Sequence, residues 1–180
     1  TLETRAWLAL WNRWQPDLFI DCHVTDGADY QYNITFQHEH HAGVDAGVLA
    51  WERKVFDESV AAKTEAAGNV VSWYLEFIDN RDLTKGIRDF NGSPRFSTGY
   101  VPLRNRPAIL IETHMLKDYR SRVIGTYDFL RAALEEVSSD PQSLLRVVKE
   151  ADEKMIAAGR NYDPSHKYPL DFELTEKSTP

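Results

Sequence analysis

Two short apolar runs end in ionisable residues, and these endings are where chemistry is expected. Leu18-Phe19-Ile20 runs into Asp21-Cys22-His23, and Ala108-Ile109-Leu110-Ile111 runs into Glu112-Thr113-His114. A neutral imidazole is a zinc ligand, and a carboxylate beside it can take a proton from water polarised by the ion. In open α/β sheets, ligands bind beyond the carboxyl ends of the strands. His23 and Glu112, delivered to one rim by neighbouring strands, would suit metal-assisted hydrolysis. The plainer alternative is a histidine that serves as hydrogen-bonded scaffolding, because short motifs without context remain hypotheses.

The elements that must position these residues are readable in outline. Trp7, Leu10, Trp11 and Trp14 fall at helical spacing, with Thr1 or Thr4 as caps and Pro16 as the stop. The run 18–20 reads as a strand buried on both faces. Asp26-Gly27 is a turn signal, and residues 30–36 alternate weakly. Val48, Trp51, Val55 and Phe56 mark a helix that ends near Gly68. Val70 to Ile78 reads as a strand, and 80–99 as a loop too long for a simple connection. After the run 108–111, Val123, Tyr127, Leu130, Leu134 and Val137 form a long apolar stripe. Asp140-Pro141 opens a last helix that reaches Gly159.

Helices alternating with doubly apolar strands predict an α/β fold. The expected form is a three-layer α/β/α sandwich on a mixed, partly parallel sheet. The expected boundaries are a domain over 1–160 and a linker, or lead into another domain, over 161–180. The chain has 180 residues and a formal net charge of −7, which argues against nucleic acid and anionic lipid as partners. No apolar run approaches the ~20 residues of a membrane span. A single cysteine, Cys22, excludes an internal disulfide and a cysteine-based zinc site. Alternation sends Cys22 to the face away from His23, where packing is expected.

With these residues in place, a resemblance emerges. The segment 18–23 resembles the strand that carries the third zinc ligand in the carboxypeptidase A-like zinc carboxypeptidases. Ala108-Ile109-Leu110-Ile111-Glu112 resembles the later family strand that ends in the catalytic glutamate. Between them, Phe96-Ser97-Thr98-Gly99-Tyr100 resembles the mobile loop with a substrate-contacting tyrosine, although Tyr100 lies closer to Glu112 than that family's spacing. The order histidine, tyrosine, glutamate matches, and the resemblance spans most of residues 1–137.

The resemblance implies a zinc metallocarboxypeptidase, with His23 as a Zn2+ ligand, Glu112 as general base and Tyr100 closing over a peptide substrate. Arg104 and Arg106 are candidates for binding a carboxylate, a group that suits arginine, although solvated surface positions also fit them. The family's remaining ligands come from a His-x-x-Glu motif, and no histidine here is followed three residues later by glutamate. That motif, and the asparagine-arginine pair that grips the substrate's terminal carboxylate, lie upstream in the family. The chain is therefore expected to be the later part of a catalytic domain, inactive alone, with the remainder of that domain as its partner. A secreted or periplasmic location would follow if the N-terminal remainder carried a signal peptide.

Other candidates are weaker. The tract His38, His40, His41 suits an adventitious metal site. Asp21 and Asp26 flank His23 as possible acceptors for its ring. His114 is expected to face away from Glu112. No Gly-x-Ser-x-Gly elbow supports a serine hydrolase. The non-catalytic alternative is a degenerate carboxypeptidase-like domain that binds peptides without cleaving them.

Overall fold

The computed structural model describes residues 1–25, 29–165 and 167–169. The Asp26-Gly27 turn and residues 170–180 of the expected linker lie outside the described residues. Helix α1, Leu2–Trp14, opens with the Thr1 hydroxyl accepting the Thr4 N–H and closes at Gln15 in the left-handed region. Strand β1, Phe19–Thr25, follows, then β2, Ile34–His38. The predicted helix from Val48 is a continuous run in three parts: α2, Ala46–Glu52, a π-helical stretch Arg53–Val60, and α3, Ala61–Ala66. Gly68 at φ 97° ends it, a conformation glycine adopts without a Cβ penalty.

The expected strand over 70–78 is two pieces, β3 at Val71–Trp73 and β4 at Glu76–Phe77. The expected loop contains β5, Ile87–Arg88, which pairs with β4, and the short helix α4, Ser97–Tyr100. Strand β6 runs Ala108–His114. Helix α5, Tyr119–Ser139, and α6, Pro141–Arg160, complete the order, with Asp140 capping α6 and Pro141 at its first turn. The end of α6 falls at the boundary expected from sequence.

The main sheet has four strands in the order β1-β6-β2-β3. β1 runs parallel to β6, β2 antiparallel to β6, and β3 parallel to β2. The fold is thus α/β with a mixed, partly parallel sheet. Strand period two divides each strand between two faces. Ile34, Phe36, Ile109 and Ile111 turn to the main core, where Phe56, Phe129, Leu144 and Val148 meet them. On the opposite face, Phe19 and Ala108 meet Trp7, Trp11, Tyr100 and Val101. β1 itself is not buried on both faces as the sequence suggested. It stands at the sheet's edge, and Cys22, His23 and Val24 are exposed. Cys22 is therefore not the packing residue expected. No helix among the described residues is long and apolar enough to cross a membrane.

Phe129 is fully buried and packs against Phe36 and Phe56, with ring centroids 5.5 and 6.2 Å away. Truncating such a residue removes transfer energy and leaves a cavity. Phe129→Ala is predicted to lower the unfolding free energy by about 3–5 kcal/mol in urea titration. Cys22→Ser, on the open edge, is predicted to change it by less than about 0.5 kcal/mol.

Candidate active site

The parallel ladder pairs Phe19 with Ala108 and continues step by step to Thr25 with His114. Within it, His23 is the register partner of Glu112. The two side chains leave neighbouring strands at the same level and on the same face, about 5 Å apart at the backbone. The Thr113 hydroxyl donates to the His23 carbonyl at 3.3 Å, a further tie between the strands at this level. Both residues lie within their strands rather than after them, because the strands run two residues past the sequence estimate.

Asp21 shares that face. Its Oδ1 lies 3.0 Å from His23 Nε2, and its Oδ2 accepts the Ser97 hydroxyl. The imidazole is half exposed and is aimed by a carboxylate at one nitrogen, so Nδ1 is the nitrogen left for a metal. This is the backing a ligand histidine requires, and it meets the expectation for Asp21. Asp26 lies outside the described residues. His114 is buried, 4.5 Å from the stacked Tyr30 ring. It shares the face of Glu112 rather than opposing it, since residues two apart on a strand point the same way.

The structure does not bring Tyr100, Arg104 or Arg106 to this pair. Tyr100 packs edge-on against Trp7 and Trp11 at the start of β1, about 13 Å along the strand from His23. Its hydroxyl accepts from Arg104 Nη1 at 2.8 Å, and the same guanidinium reaches Asn12 at 3.3 Å. Arg106 is largely buried and donates to Asp152 at 2.9 Å, so it is neither solvated nor open to a substrate. Tyr100 sits in α4 rather than in an open loop, held there by the aromatic rings of α1.

The histidine tract is likewise dispersed. His38, on the core side of β2, lies 3.0 Å from Asp57. His40 pairs with Asp89 at 2.8 Å, and His41 accepts the Gly43 N–H at 3.0 Å. Among the described residues, no group of three or more His, Cys, Asp or Glu side chains converges on one point.

Two buried acids escaped the sequence reading. Glu39 is 2 % exposed, accepts the Gly92 N–H at 2.8 Å, and lies 3.9 Å from His41. Burial pushes its pKa up to about 7. Glu52 is fully buried and accepts the Ala108 N–H at 2.9 Å, which pins the first residue of the Glu112 strand. Burial raises its pKa well above the usual carboxylate range. Glu52 had a visible signal: it falls four residues after Val48, inside the helix's apolar stripe. Glu39 had none, because it follows a strand whose alternation is faint. Together with Gln37, which donates to the Phe90 carbonyl, and Asp21, Glu39 holds residues 90–97 against the sheet. Gly99 makes that close approach possible, since a Cβ there would overlap the Gly92 and Ser93 carbonyls.

No protein-family model, curated protein or solved structure matches this chain.

A carboxyl whose folded pKa lies above its unfolded value stabilises the fold only while protonated. That contribution is complete below the unfolded value of 4.5 and is lost as pH rises through about 7. Glu39→Gln keeps a neutral acceptor for Gly92. It is predicted to exceed the parent in stability at pH 8 by up to roughly 3 kcal/mol, with the gap closing toward pH 4. Urea titrations of both proteins across that range measure it.

Proposed function

We propose that the chain is the later part of the catalytic domain of a zinc metallocarboxypeptidase, a hydrolase of C-terminal peptide bonds. One observation carries the reading: His23 and Glu112 leave adjacent parallel strands at the same level, with Asp21 behind the imidazole. Geometry of this kind suits a metal ligand beside a general base. A three-layer α/β/α sandwich belongs to the same proposal. In it, the helices around Phe56 and Phe129 form one outer layer, and α1 with the segment over the Glu112 face forms the other.

The donor chemistry fits zinc as far as these residues go. His23 would hold the ion through Nδ1, and two further ligands would come from chain outside these residues. A zinc ion bound there supplies Lewis acidity toward the scissile carbonyl and the attacking water. Glu112 takes a proton from that water and returns it to the departing amine nitrogen. The in-register backbone fixes where the carboxylate stands relative to the imidazole. Asp21 holds the His23 ring against rotation, and Ser97 holds Asp21. Tyr100, Arg104 and Arg106 have structural partners of their own at the other end of β1, and the site proposed here uses none of them.

In the complete enzyme, Glu112→Gln is predicted to keep zinc content and to lower kcat on a peptide substrate by a factor of about 10³ or more. His23→Ala is predicted to lower zinc stoichiometry in equilibrium dialysis. Unchanged turnover in the first variant removes the base, and full occupancy in the second removes the ligand. Peptide binding with no turnover in the unaltered enzyme would support the non-catalytic alternative instead.

A further inference from the structure

A small cavity opens beside the His23–Glu112 pair. Thr25 lines it, two residues beyond His23 on the same face of β1, about 7 Å along the strand. Tyr30 lines it as well, with its ring stacked on His114 of the Glu112 strand. Tyr74 and Asn80 complete the polar wall, and Glu76 and Arg88 stand at the two-stranded β4–β5 sheet. The volume is about 170 Å³.

The charges in this lining cancel. Arg88 Nε and Nη2 both donate to Glu76 Oε2, at 3.1 and 2.8 Å, and the two residues are direct cross-strand partners. A charged ligand group would have to break that pair or enter without a counter-charge. What remains is a hydroxyl, two phenols and a carboxamide, which offer hydrogen bonds without net charge. A purely apolar group would leave these polar groups facing carbon, and discrimination of that kind is large.

We propose that this cavity is the specificity pocket of the site, taking an uncharged, hydrogen-bonding side chain such as a carboxamide, next to the scissile bond. The inference rests on the reading of His23 and Glu112 as ligand and base. It goes further by naming the substrate class: peptides whose C-terminal residue is a neutral polar amino acid rather than an aromatic, aliphatic or charged one. Tyr30 and its stacking on His114 tie the pocket wall to the strand of the base, so a side chain seated here lies close to the carboxylate.

The test uses two probes on the 180-residue chain, acetyl-alanyl-glutamine and acetyl-alanyl-phenylalanine, followed by amide chemical shifts. The glutamine probe is expected to move the resonances of Thr25, Tyr30, Tyr74 and Asn80, and to bind about tenfold more tightly than the phenylalanine probe. Tyr74→Phe and Asn80→Leu are expected to erase that preference, and Tyr30→Phe, which keeps the stacked ring, to reduce it. Equal binding of the two probes, or shifts confined to other residues, overturns the pocket. In the complete enzyme, Glu112-dependent turnover that favours phenylalanine also overturns the pocket while leaving the hydrolase reading intact. Turnover that survives Glu112→Gln removes the hydrolase reading, and the probe preference then decides the pocket by itself.

Discussion

The parallel pairing of β1 with β6 is the constraint on which the candidate site depends. A slip of one residue would turn His23 to the opposite face from Glu112, because strand side chains alternate. Several contacts hold the register. The apolar partners Ile20 and Ile109 pack into or against the main core, and Thr113 donates to the His23 carbonyl. Glu52 fixes the Ala108 N–H from the helical side. The face that carries the ionisable residues is set by the face that carries the core.

The two faces of the sheet answer different demands. One is dry and close-packed around Phe36, Phe56 and Phe129. The other carries Asp21, Gln37 and Glu112, and a long irregular segment is pulled onto it by side chains of the sheet and of the residue that follows β2. Hydrogen bonds from that segment satisfy sheet carboxylates that would otherwise be buried without partners. Glu39 shows the cost of such an arrangement: held by one backbone N–H, it keeps its proton to about pH 7.

Much of the scaffold was legible because apolar runs and caps are local signals. Thr1, Pro16, Gly68 and Asp140-Pro141 marked helix ends correctly, and the runs at 18–20 and 108–111 marked the strands. The neighbour relation of His23 and Glu112 was an inference from order alone, and the ladder places them as partners. The destinations of Tyr100, Arg104 and Arg106 were not legible. They depend on Trp7, Trp11, Asn12 and Asp152, which are distant in sequence and meet them only through tertiary packing. The histidine tract misled for a related reason: strand alternation and separate acidic partners pull its members apart.

The wide turns at Arg53–Val60 set a limit on chain length in that helix. A π-helical stretch houses a residue beyond what an α-helix of the same rise would hold. Asp57 sits inside it and reaches His38 from there. Deleting one residue would let the segment relax to ordinary winding and rotate everything beyond it by about 100°. Val60 and Thr64 would then swing off the sheet while the excised length itself amounted to almost nothing. Point substitutions are absorbed more readily at this site than any change in the count of residues.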